Sequence, residues 1–209
     1  MPSPAHAYPL GFASLALRPE LARIVAHTFL TQGDWTATKR HVLSTNALQT
    51  RTASTAKRVE QELRRRLQSL TRPQLELLAT APLDTCAALA WLAVLKTTPF
   101  ILAFTTDVLR HKLDAADPVL RPSDYENFFA NQAITHPVLQ QSTPQTKLKI
   151  RSISLGMLRE VGILVRHGKE DAVQRPPLPE EVRNSILEET PRWLAGFLVS
   201  DAELCTLQG

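Results

Sequence analysis

The sequence predicts an all-α, mainly helical protein: a compact helical bundle with helix-turn-helix and winged-helix-like elements and one small β-hairpin wing. Three observations carry this prediction. Glycine is scarce and proline plentiful, 7 against 15 in 209 residues, which suits short helices opened by proline and joined by tight turns. Helix caps recur, each followed by apolar residues at three- and four-residue spacing. Strand patterns are almost absent, and one stretch in the C-terminal third reads as a hairpin.

Pro19 opens a helix through Leu30, with Leu21, Ile24, Val25 and Phe29 at helical spacing. Gly33 ends it, and Asp34 caps a second helix from Trp35 to about Ser44. The turn at 45–50 leads to a third helix, to about Leu70, with Thr52 as its N-cap. A short helix starts at Pro73, Asp84 caps an apolar helix from Thr85, and Pro99 opens another that ends near Leu113. Beyond Asp117-Pro118, Ser123 and Glu126 have the spacing of a capping box, beside Tyr125, Phe128 and Phe129. Thr143 as N-cap and Pro144 start a helix to about Val161. Gly162–Val165, a turn centred on Gly168 and Ala172–Gln174 form the hairpin, and short helices follow from Pro179 and Pro191. The loop from Leu113 to Pro122 is the one candidate boundary. It divides the chain into regions 1–113 and 114–209, which can also pack as one domain.

Charge narrows the function classes. The formal charge is +4, but its distribution matters more than the sum. Arg51 to Arg72 holds seven basic and two acidic residues, and Thr143 to Lys169 holds six and one. Each segment is a local +5, which leaves about −6 for the remainder. Two cysteines, Cys86 and Cys205, cannot build a disulfide framework. Met1 to His6 lacks the basic and apolar stretches of a signal peptide. The apolar run from Cys86 to Leu95 is broken by Lys96 and Pro99, short of the roughly 20 apolar residues a membrane span needs. Together these predict a cytoplasmic protein with two buried core helices there and no membrane partner.

The third helix is the most telling element. At 100° per residue, Ala56, Val59, Leu63, Leu67 and Leu70 form a narrow core stripe. The opposite face collects Ser54, Lys57, Arg58, Gln61, Arg64, Arg65 and Gln68, with Glu60 and Glu62 on the flanks. A solvated helix ordinarily mixes charge signs to gain i,i+4 pairs; this face carries no acid. In a helix-turn-helix the second helix enters the major groove with its N-terminal residues nearest the bases. Arg51, Ser54, Thr55, Lys57 and Arg58 are the candidates there, with Arg64, Arg65 and Arg66 placed to meet phosphates. A basic face that merely faces water remains the alternative. A second basic element comprises Lys147, Lys149 and Arg151 on the helix from Thr143, then Arg166 and Lys169 on the hairpin. Apolar residues surround that helix almost entirely, so its role reads as a core helix with an exposed basic end.

These segments recur in a familiar order. After the amphipathic first helix come Gly33-Asp34-Trp35, Val42-Leu43, Asn46-Ala47-Leu48 and Arg51 to Ala56 with Arg58, Arg66-Leu67 and Leu70. Leu89 to Ala93, Phe100-Ile101 with Phe104, and Val108-Leu109-Arg110 continue it. Thr146-Lys147-Leu148 and Met157 to Leu164 close it. In this order and spacing, from about Gly11 to Leu187, the chain resembles BrxA, a small component of the BREX bacteriophage-exclusion systems. The tail after Pro191 has no such counterpart. The resemblance implies a compact helical, double-stranded DNA-binding protein without a recognised catalytic centre, working beside other BREX components. It carries DNA binding to the positions around Arg51 to Arg58 and Thr146 to Lys147; Arg64, Arg65 and the hairpin follow from charge alone.

Catalytic readings find little support. The six histidines pair nowhere at i+3 or i+4, no Cys-x-x-Cys exists, and there is no phosphate-binding Gly-rich loop or Gly-x-Ser-x-Gly elbow. No cofactor, metal or small-molecule substrate is expected. Cys86 reads as inert packing, and Asp114, Asp117, Asp124 and Glu126 as a solvated acidic loop rather than a cation site. The expectation is therefore a non-catalytic DNA-binding accessory protein. A protein–protein interaction module and an RNA-binding helical protein are the alternatives.

Overall fold

Side-chain caps and first-turn prolines together place most helix starts. The computed structural model describes residues 10–208; Met1 to His6 lies outside them. A 3-10 turn (Leu10–Ser14) leads to α1 (Pro19–Gln32), α2 (Trp35–Ser44), α3 (Ala53–Leu67), α4 (Arg72–Thr80) and α5 (Leu83–Thr97). Gly33 takes φ 75° and donates its N–H to the Phe29 carbonyl, closing α1. The Asp34 carboxylate accepts from the backbone N–H groups of Thr36 and Ala37 at 2.9 and 2.7 Å, starting α2. Trp35 then stacks on Phe29 with ring centroids 4.0 Å apart. The Gly-Asp-Trp triplet is thus a complete corner: stop, start and aromatic staple.

Two expected caps are corrected. α5 begins at Leu83 with Pro82 at the cap position, and Asp84 sits in the first turn without a capping bond. The helix expected to be capped by Ser123 begins at Pro122, where the Asp124 carboxylate reaches back to the Arg121 N–H at 2.8 Å; Ser123 lies inside the first turn. The apolar α5 is buried nearly all round and carries the fully buried Trp91. The Trp91 indole N–H donates to the Gly196 carbonyl at 2.9 Å. At Thr98-Pro99 the chain bends by 107° into α6 (Pro99–Ala103). A π-helical stretch (Phe104–Arg110) then runs into α7 (His111–Asp114). The Thr105 and Thr106 hydroxyls donate back to the Ile101 and Leu102 carbonyls. These are the back-bonds that loosen an i to i−4 ladder. Among the described residues no single helix is long and apolar enough to cross a membrane.

α8 (Pro122–Thr135), α9 (Pro137–Gln140) and α10 (Pro144–Glu160) follow. Phe128 and Phe129 of α8 meet Phe100 edge-on, and Phe128 and Tyr125 also pack on Phe104. α10 ends in a Schellman turn: Gly162 at φ 83° donates to Arg159, and Ile163 to Leu158. The expected hairpin is β2 (Leu164–His167) with β3 (Glu170–Val173), antiparallel. A strand that the sequence reading did not foresee, β1 (Val119–Leu120), pairs with the other edge of β3, giving the order β1-β3-β2. α11 (Glu180–Glu189), a 3-10 segment (Pro191–Phe197) and α12 (Asp201–Gln208) complete the described chain. One cluster of buried side chains runs from Phe12 to Leu198.

Candidate nucleic-acid interface

The turn between α2 and α3 is built by side chains. Asn46 takes φ 47°, and its amide oxygen accepts from the Thr50 N–H at 3.1 Å while Leu48 is buried beneath. The Thr52 hydroxyl accepts from the Thr55 N–H at 3.1 Å and donates to the Thr55 hydroxyl, so Thr55 is held within the cap. α3 packs against α1, α2 and α5. Arg51, Ser54, Lys57 and Arg58 are exposed on this first stretch. No carboxylate among the described residues pairs with the three cations.

The second half of α3 differs from the expectation. Arg66 is 2% exposed, and Glu60 and Glu62 are buried at 0% and 6%. All three Arg66 nitrogens are committed: Nε to Glu62 at 2.8 Å, Nη1 to the Ala16 carbonyl at 2.8 Å and Nη2 to the Leu15 carbonyl at 2.7 Å. Arg65 chelates the same carboxylate and donates to the Thr97 carbonyl; Arg64 pairs with Glu60. Burial pushes the Glu62 carboxyl up, but hydrogen bonds from Arg65 and the charge of Arg66 more than offset this and hold it below the usual range. Arg66 is therefore a structural clamp on the N-terminal segment, not a phosphate contact. Arg64 and Arg65 have only part of their guanidinium groups open. The cause is the segment 10–17, which packs on α3 and widens its buried face beyond the apolar stripe. The i,i+4 spacing of Glu62 with Arg66, and of Glu60 with Arg64, was the available signal. Lys39 and Arg40, an adjacent basic pair on α2 just ahead of the turn, are exposed as well.

The second basic cluster divides as well. Lys147 and Lys149 are exposed at the start of α10, with the Lys147 ammonium 5.7 Å from the Phe129 ring centre. Arg151 lies over the Tyr125 ring at 5.8 Å and reaches Glu126 at 3.4 Å. Arg166 and Lys169 are exposed on the wing. Arg159, which the sequence reading left out of the site, grips Asp171 of β3 through two hydrogen bonds of 3.0 and 2.6 Å, and Arg166 adds a third at 3.3 Å. These bonds, Arg159 foremost, draw the Asp171 carboxyl below its usual range.

The remaining motifs resolve into structure. Asp117 pairs with Lys112 and Arg121, and Asp124 with Lys112, so these carboxylates neutralise their own neighbours. No group of three or more His, Cys, Asp or Glu residues suited to a metal ion occurs among the described residues. The buried Cys86 thiol donates toward the Leu78 and Ala81 carbonyls, and burial pushes its pKa up, away from a nucleophile.

Comparison with known proteins places the chain. Among solved structures, the crystal structure of an uncharacterized protein from Magnetospirillum magneticum superposes with a TM-score of 0.80 at 17% identity. That match covers 91% of this chain and 97% of that one, and it establishes a shared fold. No curated protein matches. The family model for BrxA, a component of BREX phage defence, matches residues 7–190, nearly the whole sequence. The chain belongs to the BrxA family.

Proposed function

We propose that the protein is a non-catalytic accessory component of a BREX-type phage-defence system, cytoplasmic in location, that binds double-stranded DNA through the turn before α3 and its first two turns. The observation that carries this reading is the separation of charge along α3 and the turn before it: Arg51, Lys57 and Arg58 are exposed without carboxylate partners among the described residues, while the three later arginines are drawn into ion pairs. Unpaired cations on the second helix of a helix-turn-helix are placed for the groove and the flanking phosphates. Lys39 and Arg40 on the preceding helix extend the phosphate-facing surface. Lys147, Lys149, Arg151, Arg166 and Lys169 form a second, separate contact.

The test is a salt-dependent anisotropy titration against duplex DNA, single-stranded DNA and RNA in parallel. Duplex DNA binds tightest, and log K falls linearly with log salt. Lys57→Glu with Arg58→Glu abolishes binding while leaving the circular dichroism unchanged. Replacing both by alanine makes the salt slope shallower by about 1.8, the loss of two phosphate contacts. Absence of duplex binding even at low salt ends the proposal. A second reading, docking onto another BREX component, is favoured by Ile134, Val138 and Leu148, which are 80%, 42% and 65% exposed. It predicts co-purification with such a component by a protein that ignores DNA.

A further inference from the structure

Between the wing and the helical body lies a cleft of about 240 Å³ whose wall includes Arg121, Arg151, Arg159, Arg166 and Lys169. Glu170 and Asp171 are the acidic side chains lining it. Five cations at one cleft against two carboxylates repel one another, and the five come from four places in the fold. Arg121 flanks α8, Arg151 and Arg159 stand two turns apart on α10, Arg166 is on β2, and Lys169 is in the hairpin turn. Helix periodicity alone does not produce this convergence; the pairing of β1 with β3 and the Arg159–Asp171 latch do.

Their hydrogen-bonding capacity is unequally used. Arg121 is committed through both terminal nitrogens to Asp117, and Arg159 through Nε and Nη2 to Asp171. Arg166 uses only Nε, at 3.3 Å, which leaves its two terminal nitrogens available. Beside its stacking on the Tyr125 ring, Arg151 makes one long hydrogen bond, 3.4 Å, to Glu126, and Lys169 has no ion-pair partner among the described residues. Leu120, Leu155 and the Tyr125 ring supply apolar wall, against which a charge-assisted hydrogen bond is stronger than in open water. Drug-sized ligands ordinarily occupy about 300–1,000 Å³, so the cleft suits something smaller.

We infer that this cleft is an oxyanion site for a phosphate group, held by Arg151 on the helical side and by Arg166 and Lys169 on the wing side. The phosphate comes either from a nucleic-acid backbone or from a free phosphate compound. Occupancy bridges β2 and the hairpin turn to α10 and so fastens the wing. This site is separate from the α3 surface and does not depend on it for its detection.

The test uses the full chain with inorganic pyrophosphate as the probe, titrated calorimetrically at low salt with chloride balanced. Pyrophosphate binds, and amide exchange across residues 164–173 slows on its addition. Arg166→Ala with Lys169→Ala weakens it about tenfold, the loss of one or two charge-assisted hydrogen bonds. Lys57→Glu with Arg58→Glu leaves it unchanged. If the double wing variant unfolds, Lys169→Gln at the exposed turn supplies the comparison. The source follows from duplex DNA titrated against the same wing variant. Weakened DNA binding assigns the site to backbone phosphate, and unaltered DNA binding with weakened pyrophosphate assigns it to a free phosphate compound. No pyrophosphate binding, or equal loss in the wing and α3 variants, overturns the inference.

Discussion

Replacing Arg66 by alanine tests its clamp separately from the DNA binding proposed for the basic helix. In the native protein its guanidinium satisfies Glu62 and the Leu15 and Ala16 carbonyls with three bonds of 2.7–2.8 Å at a site 2% exposed. Alanine leaves two backbone carbonyls and one carboxylate oxygen short of donors in a region water scarcely reaches. Removing one member of a buried ion pair costs about 3–5 kcal/mol. Glu62 retains Arg65, so the lower end applies, about 3 kcal/mol. For a chain of this size that corresponds to a Tm lower by roughly 6–12 °C. Urea unfolding followed by circular dichroism, with DNA affinity measured on the folded variant below its transition, reads both effects. Stability falls and affinity holds. Lys57→Ala gives the opposite pattern, with stability within about 0.5 kcal/mol of the parent. An Arg66→Ala protein that loses under about 1 kcal/mol, or that keeps its stability and loses DNA, refutes the assignment of Arg66 as a clamp.

Three further outcomes follow from other parts of the fold. Hydrogen bonds from Arg121, then from Lys112, hold the Asp117 carboxyl at about 2 instead of 3.8. A depressed carboxyl contributes stability above its unfolded pKa and loses it as pH falls toward the folded one. Urea midpoints therefore drop between about pH 4 and 2, less steeply in Asp117→Asn. Gly196→Ala sets a Cβ at 2.3 Å from a Leu95 methyl that the core confines, and costs about 1–3 kcal/mol in thermal unfolding. Asp171→Ala releases Arg159 and Arg166 together, so exchange of the β2 and β3 amides accelerates while the α1 and α5 amides keep their protection.

How far the sequence revealed this structure depends on how local each cause is. Asp34, Thr52 and Thr143 act on backbone within three residues of themselves, and each caps the helix expected of it. The hairpin was legible because its strands are joined by a turn centred on Gly168, which takes φ 61°. β1 was not, because two residues carry no period and its partner β3 lies some fifty positions on. The burial of Glu62 and Arg66 was hidden for the same reason: periodicity draws the core from apolar residues, whereas here a distant segment covers a charged flank. In the candidate site, Arg51, Lys57 and Arg58 were legible from charge on one helix and the turn before it. Arg121 and Arg159 join the wing cleft only through contacts that the strand pairing creates.

The clamp on the N-terminal segment also sets an order of events during synthesis. Phe12, Leu15 and Leu17 are buried against α3 and α10, and the Leu17 N–H is held by the Glu160 carboxylate at 2.8 Å, 143 residues away. At ribosomal rates of about 5–20 residues per second, roughly 7–30 s pass between the emergence of one partner and the other. The Leu17 N–H thus finds its partner only after a long stretch of later chain has been made. The Arg66 bonds to Leu15 and Ala16 can form once α3 is made, whereas the Glu160 bond closes the packing only when α10 is complete.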